Sequence, residues 1–555
     1  MKMLADPLYY LQNFQTVLEW IKARYGDLLT GEEQTFMQDF ASLPDASRAL
    51  LVRMVMRKGD LFRASKLDYA EIGSTHDAAS LLVAMGWIDD DPLLTLQELF
   101  SLLKKAEITQ ALGLAPQQAG MKKADLLDEL LASFPEYAES RRLESWHADT
   151  DETIYRVRIG AWCNRLRLMF FGNLRQNWSE FVLADLGIYR YEKVEFSPLS
   201  RGFRSRQDVD DYLHLHQCRE RFRQGEPADD ILAAVFSNFP AAIAGNDWLE
   251  GRRSSLLFQI GRHCERDKAW PEASRAYSGC SHPGARIRAI RVLERCEEFA
   301  SALALAQPIE HSPENEAEKQ QLLRILPRLR RRLGQPSLAP SPKNPIVTMD
   351  LNLPRPEQPF FVEFVVREHL SRPDAPVHYV ENTLINSLFG LLCWDAIFAA
   401  VPGAFFHPFH VGPTDLLSAD FARRREREFA ECFSALDSGQ YPLIIRQRFR
   451  DKAGIQSPFV FWEMLNQQML DLALKCLPAE HLKQWFARIL QDIQANRSGL
   501  PDLIQFFPEQ GHYRMIEVKG PGDRLQDNQI RWLDYCTAHD MPVSVCHVQW
   551  AEGDE

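Results

Sequence analysis

Residues 499–520 read GLPDLIQFFPEQGHYRMIEVKG. Two apolar segments here carry Asp502 in one and Glu517 and Lys519 in the other, where a chain folding for stability alone would keep apolar side chains. Alternate side chains of a strand share a face, so Glu517 and Lys519 point the same way with Cα atoms about 6.6 Å apart, while Val518 packs on the opposite face. Asp502 opens the preceding segment beside a turn made by Gly499 and Pro501. A hairpin through the loop PEQGH carries Asp502 towards Glu517, although the sequence does not fix the register. Two carboxylates in a partly buried place repel each other and lose hydration unless a positive charge joins them. Lys519 offsets part of that cost and a divalent cation offsets more; carboxylate oxygens suit Mg²⁺ or Mn²⁺. A structural salt bridge on a strand face and a different metal hydrolase are the competing readings.

The elements that must position these residues form an α/β pattern. We expect strands near 501–507 and 513–519, a helix over about 524–539 with Gln529 near its start, and a strand at VSVCHVQW (543–550). Upstream lie MDLNLPRPEQPFFVEFVVREHL, a helix around HYVENTLINSLFGLLCWDAIF (378–398), and further helices to about 490. The pattern predicts a small mixed sheet with helices against it. Four prolines in GQPSLAPSPKNPIV (334–347) mark a linker before this unit. LFGLLCWDAIFAAVPGAFF (388–406) is apolar but holds Asp395, Pro402 and Gly403, so a buried helix is expected there and not a membrane span.

The fold class expected is multidomain and mainly α, closed by that α/β unit. Residues 1–92 read as helical, 93–140 as a small helical module, 141–209 as an aromatic-rich connection, 210–335 as helical, 336–346 as the Pro-rich linker, and 347–555 as the last domain. The layout L-x-x-L…LGL…G-x-K-K-x-x-L-L within 95–133 resembles a SAP module, a binder of DNA backbone. Lys122 and Lys123 then sit at the start of its last helix, where N–H and ammonium groups both meet phosphate. LFQIGRHCERDKAWPEASRAYSGC (257–280) has a TPR-like rhythm.

A chain of 555 residues implies three or four domains, and 45% hydrophobic with 25% charged residues is ordinary for a soluble protein. The first residues lack an apolar signal segment, and the ten cysteines form no C-x-x-C pair. An intracellular, reducing home is expected, without structural zinc or a disulfide framework. The net charge of −12 weighs against nucleic acid, but RGFRSRQ (201–207), RERFRQ (219–224), GARIRAIRVLER (284–295), RILPRLRRRLG (324–334) and RQRFRDK (446–452) are locally basic. Arg204, Arg206 and Arg223 are the candidate DNA contacts among them; solvated helix faces are the plain alternative.

Pro501-Asp502 with Glu517-x-Lys519 resembles the PD…E-x-K arrangement of metal-dependent nucleases. GLPDLIQFF…YRMIEVKGPGDRLQDNQIRWLDYC, VENTLINSLFGLLCWDAIF and VSVCHV together resemble the VRR-NUC domain of the Fanconi-associated nuclease family, and the SAP-like, aromatic-rich and TPR-like regions follow in the family's order. The resemblance implies a structure-specific DNA nuclease of phosphodiesterase I type, cutting near 5′ flaps, acting as a 5′-to-3′ exonuclease and serving interstrand cross-link repair. Its partner is then branched or 5′-flapped duplex DNA, with no membrane. It further implies that Asp502, Glu517, Lys519 and Glu381 are catalytic. Glu381, Asp502, Glu517 and the Val518 carbonyl would hold Mg²⁺ or Mn²⁺, and Gln529 would support the site. Asp395 competes with Glu381 but lies about 21 Å further along a continuous helix. A catalytically weak junction-binding scaffold and a nuclease of four-way junctions remain alternatives. The ubiquitin-binding zinc finger of animal members is not seen, and Asn528 stands where they carry a phosphate-holding lysine. These departures fit a bacterial member, acting in the cytoplasm near the nucleoid; a eukaryotic one would act in the nucleus.

Overall fold

The computed structural model describes residues 6–115, 118, 120–148, 150–176, 189–336, 345–356 and 361–551. The chain forms two compact units, 1–188 and 189–555. Residues 177–188 of the aromatic-rich stretch and 337–344 of the Pro-rich linker lie outside the described residues.

The first unit is helical, but not throughout. Thr30 caps helix Gly31–Ser42 by a reciprocal exchange with Glu33, as an S/T-x-x-E pattern prescribes. Three strands were not expected: β1 (Leu61–Arg63), β2 (Ile88–Asp89) and β3 (Ile154–Val157) pair antiparallel in the order β1-β3-β2. The expectation of helices alone over 1–92 is corrected accordingly; strands this short have partners too distant in sequence to leave a periodic trace. Helices Leu96–Leu102, Lys105–Ala111 and Lys123–Ser133 close the SAP-like module around Leu99, Ile108, Leu126 and Leu130.

In the second unit, helices Arg206–Arg223, Ala228–Asn238, Asp247–Arg266, Trp270–Ser278, Ala285–Arg295, Phe299–His311 and Glu316–Arg332 run in succession, and from Asp247 onward each packs on the next. A five-stranded sheet follows, built from β4 (Val347–Pro354), β5 (Val377–Tyr379), β6 (Leu503–Phe507), β7 (His512–Lys519) and β8 (Val543–Ala551). Its order is β4-β8-β7-β6-β5, with β4 and β7 parallel to β8 and the β7-β6-β5 run antiparallel. The sheet is therefore mixed, as expected. One face packs on a large core containing Ile504, Phe506, Met515 and Val545; the other meets helix Val362–Leu370 through Val366, Leu503, Ile516 and Val518.

The apolar stretch after residue 383 is buried, as expected. It breaks into helices Leu384–Leu392 and Trp394–Ile397, and among the described residues no helix is long and apolar enough to cross a membrane.

Candidate active site

The β6–β7 hairpin pairs Leu503 with Ile516 and Phe507 with His512. One step beyond Leu503, that register sets Asp502 across from Glu517. Asp502, Glu517 and Lys519 are 6%, 0% and 7% exposed, so all three chemical groups are held inside the protein. Asp502 Oδ2 accepts from the Val518 N–H at 2.8 Å, which fixes its carboxylate against the strand that carries Glu517.

Lys519 Nζ stands 2.8 Å from Glu517 Oε1. Apart from that ammonium, neither carboxylate oxygen of Glu517 has a hydrogen-bond donor among the described residues. Burial therefore pushes the Glu517 carboxyl up, to about 8; the Asp502 charge adds to this and Lys519 pulls it back. Burial also raises Asp502, to about 6, against the Val518 hydrogen bond, and Glu381 and Glu363 push the same way. A buried carboxylate that shares a single ammonium with a second acid opposite it is undercompensated, and the two acids supply the oxygen ligands a hard divalent cation takes. Among the described residues, no three acid, histidine or cysteine side chains are already gathered closely enough to hold a metal ion.

The third acid explains that. Glu381 was expected at the start of a helix over 378–398; the structure corrects this, because Val377–Tyr379 is β5 and the helix begins only at Leu384. Asn382 adopts a left-handed backbone (φ 52°), which interrupts helical geometry. Glu381 is exposed in the resulting turn. Its Oε2 accepts from the Tyr379 hydroxyl and its Oε1 from Asn382 Nδ2 at 3.2 Å. The turn is tied to the hairpin, since the Val380 N–H donates to the Asp502 carbonyl at 2.8 Å and the Leu500 N–H donates to Asn382 Oδ1 at 3.1 Å. Glu381 is thus beside Asp502, its carboxylate occupied by two neighbours.

Asp395 is not brought to the site. The helix it was expected to share ends at Leu392, and Asp395 pairs with Arg448. Gln529 caps its own helix, Asp527–Ala538, with Oε1 accepting from the Gln526 N–H at 2.8 Å. Gly499 takes φ +90°, and a Cβ there would lie 2.8 Å from Asn528 Nδ2, so this glycine lets the turn before Asp502 press against that helix.

The basic candidates lie on other elements than the carboxylates. Lys122 is exposed at the cap of helix Lys123–Ser133, while Lys123 Nζ donates to the Leu103 carbonyl at 2.8 Å. Arg204 donates to the Gly245 carbonyl at 3.1 Å, Arg206 pairs with Asp210 at 3.3 Å, and Arg223 pairs with Glu220 at 2.7 Å. Arg324 forks onto Asp527 at 2.5 and 2.7 Å, tying the helical layer to the nuclease-like unit. Such pairs support the reading as solvated helix faces.

Three residues escaped the sequence reading: Tyr379, Asn382 and Glu363. Strand alternation through H-Y-V-E would have set Tyr379 beside Glu381. Glu363 reaches Asp502 only through tertiary packing and left no sequence signal.

Comparison with known proteins gives one family along the chain. The model of the FAN1 HTH domain matches residues 8–89, that of the Fanconi anemia-associated nuclease SAP domain 93–146, and that of the VRR-NUC domain 437–550. A Fanconi-associated nuclease 1 homolog of Pseudomonas aeruginosa is 57% identical over 551 residues, spanning 99% of this chain and 97% of the relative. A homolog of Arabidopsis thaliana is 23% identical, over 97% of this chain and 67% of its own. A crystal structure of paFAN1 bound to DNA with a 2-nt 5′ flap and a gap superposes with TM-score 0.91 at 57% identity, covering 100% of both chains. Its counterpart with a 1-nt flap gives TM-score 0.90, over 99% of this chain and 100% of that one.

Proposed function

Because the chain belongs to the Fanconi-associated nuclease family and is a structure-specific DNA nuclease, we propose that it hydrolyses phosphodiester bonds at the cluster of Asp502, Glu517, Lys519 and Glu381. Asp502, Glu517, Glu381 and the Val518 carbonyl hold a divalent cation, Mg²⁺ or Mn²⁺. When bound, that cation supplies Lewis-acid charge and a water acidic enough to attack at neutral pH. The observation that carries the reading is Glu517, wholly buried, with no hydrogen-bond donor among the described residues but the Lys519 ammonium, and set across the hairpin from Asp502.

The chain's own residues have separate tasks. Asp502 is held in place by the Val518 N–H and keeps one carboxylate oxygen for the cation. Glu517 supplies a second, and burial makes it a poor resting place for charge until a cation arrives. Lys519 stands 2.8 Å from Glu517 and can offer an N–H to the phosphate oxygens as charge gathers there. Glu381, exposed in its turn and held by Tyr379 and Asn382, would supply a third carboxylate to the cation. Gln529 supports the site only indirectly, by fixing the helix that packs on the Gly499 turn.

The substrate is branched duplex DNA with a 5′ flap, cut endonucleolytically and degraded 5′ to 3′. This follows the 5′-flap DNA bound in the two solved structures and the cross-link repair that the family resemblance implies. Work on such DNA requires an intracellular setting, near the nucleoid in a bacterium. The test is cleavage of flap, nicked, gapped, splayed and four-way DNAs labelled at either end. We expect Mg²⁺- or Mn²⁺-dependent cutting near the 5′ flap. A flap bound tightly yet left uncut with both ions makes the chain a scaffold, and preferred cutting of the four-way DNA changes its substrate.

A further inference from the structure

We propose that the outer flank of helix Val362–Leu370 is a binding track for an unpaired strand of DNA, which stacks a base on Phe361 at the carboxylate end and seats a backbone phosphate in a basic cavity at the other end. The proposal rests on the nuclease reading above and names where that site's single-stranded arm lies.

The helix starts at the site. Val362 Cγ2 lies 3.2 Å from where a Cβ on Gly520 would stand, directly after Lys519, and the charge of Glu363 acts on Asp502. Phe361, just before the helix, is 73% exposed, which apolar burial alone does not explain. Its ring centroid is 6.2 Å from Phe364, and Phe364 is 5.5 Å from Tyr379, whose hydroxyl holds Glu381. Arg367 lies over the Phe364 ring at 4.8 Å. A line of aromatic rings interleaved with a guanidinium suits unpaired bases and the phosphates between them.

The helix ends at a cavity of 510 Å³. Its walls include His369, Arg372, Gln505, His512 and Arg514, and no carboxylate lines it. Arg514 is half-buried and donates to Gln505 Oε1 at 2.9 Å, while its buried Nε has no acceptor among the described residues. Gln505 is itself locked, its Nε2 donating to the carbonyls of Leu370 and Ala375. An arginine desolvated without an acid partner, in a cavity lined by other basic groups, is arranged for an anion from outside. The nearest competing pairs, Arg367 with Glu368 at 3.6 Å and Arg372 with Asp374 at 3.8 Å, are loose and exposed, so a phosphate can displace them.

The dimensions agree. A nine-residue helix is about 13.5 Å long, the rise of about four nucleotides at 3.4 Å each. A single strand is favoured over a duplex because Phe361 offers a ring face, and bases inside a duplex have their faces already stacked.

The test measures binding by the full chain in EDTA, so cleavage plays no part. The probes are a nicked duplex and the same duplex with a four-nucleotide 5′ flap carrying 2-aminopurine. Wild type is expected to prefer the flapped DNA and quench the 2-aminopurine. Phe361→Ala and Arg372→Glu, both at exposed positions, are each expected to weaken flap binding about five- to hundredfold, to leave the nicked duplex within about twofold, and Phe361→Ala to restore the fluorescence. Arg514→Gln is expected to match Arg372→Glu. Unchanged flap preference and quenching in the two exposed variants, or an equal loss on both DNAs, overturns the track. Failure of wild type to cut in Mg²⁺, with the flap preference intact, overturns the nuclease reading instead.

Discussion

The two halves of the candidate site are built differently. The hairpin half, Asp502 with Glu517 and Lys519, is buried, register-locked and tied by a backbone hydrogen bond, so its groups stand in place before any ligand arrives. The Glu381 half is an exposed turn whose carboxylate is taken up by Tyr379 and Asn382. The difference teaches that two acids are fixed inside the fold while the third is left at the solvent-exposed edge. Two buried acids facing each other, with one backbone N–H and one ammonium between them, raise the free energy of the empty site, while the third acid stays exposed to solvent.

Breaking the rigid half should have the largest effect. Asp502→Ala or Lys519→Ala is expected to lower flap cleavage about a thousandfold or more while DNA binding survives, checked by single-turnover cleavage and by binding in EDTA. Retained cleavage in either variant removes the hairpin from the chemistry. Glu381→Gln should cost less, about a hundredfold, with part of the loss recovered at high Mn²⁺ concentration. If its loss equals that of Asp502→Ala and no ion restores it, the two halves do not differ as described.

Tyr379→Phe sharpens the comparison. Without the hydroxyl, Glu381 is released, so the cation concentration for half-maximal cleavage should move by about tenfold or less, while the rate at saturating cation stays close to wild type. A change in the saturated rate alone would place Tyr379 in the chemistry and not in the positioning of Glu381.

The smallest effect is one of stability. Asp502 and Glu517 titrate near 6 and 8, above their ordinary values of 3.8 and 4.5. Between the ordinary and the raised values the native state binds more protons than the unfolded chain. Stability of the cation-free protein therefore falls as pH rises from about 4 to about 8. Thermal melting in EDTA is expected to show this decline, and Mg²⁺ or Glu517→Gln to flatten it. A cation-free melting temperature that rises over that range contradicts the burial-driven shift.

The hairpin half was legible in the sequence and the exposed Glu381 half was not. Strand alternation placed Glu517 and Lys519 on one face, and the expected strands near 501–507 and 513–519 match β6 and β7 to within two residues. The register was not legible, because it depends on how the loop closes. Glu381 was named through resemblance, yet its turn arises from the left-handed Asn382 and its contact with Leu500, a partner 118 residues away. Strand β4 left no trace for the same reason: its pattern is mostly exposed, and its only neighbour in the sheet is β8. Pairs within the arginine runs, such as Arg324 with Asp527, fasten helices together and were not legible either.

The strand order carries one more consequence, for synthesis. In β4-β8-β7-β6-β5 the last strand to leave the ribosome, β8, is the one that must slide between β4 and β7. Helices and the β5-β6-β7 run can form as they emerge, but β4 must wait for β8, a pairing that joins Val347 to Ser544, 197 residues on, and is slow to close. A nascent chain halted anywhere before Val543 therefore carries Asp502, Glu517 and Lys519 without the strand that flanks the last two.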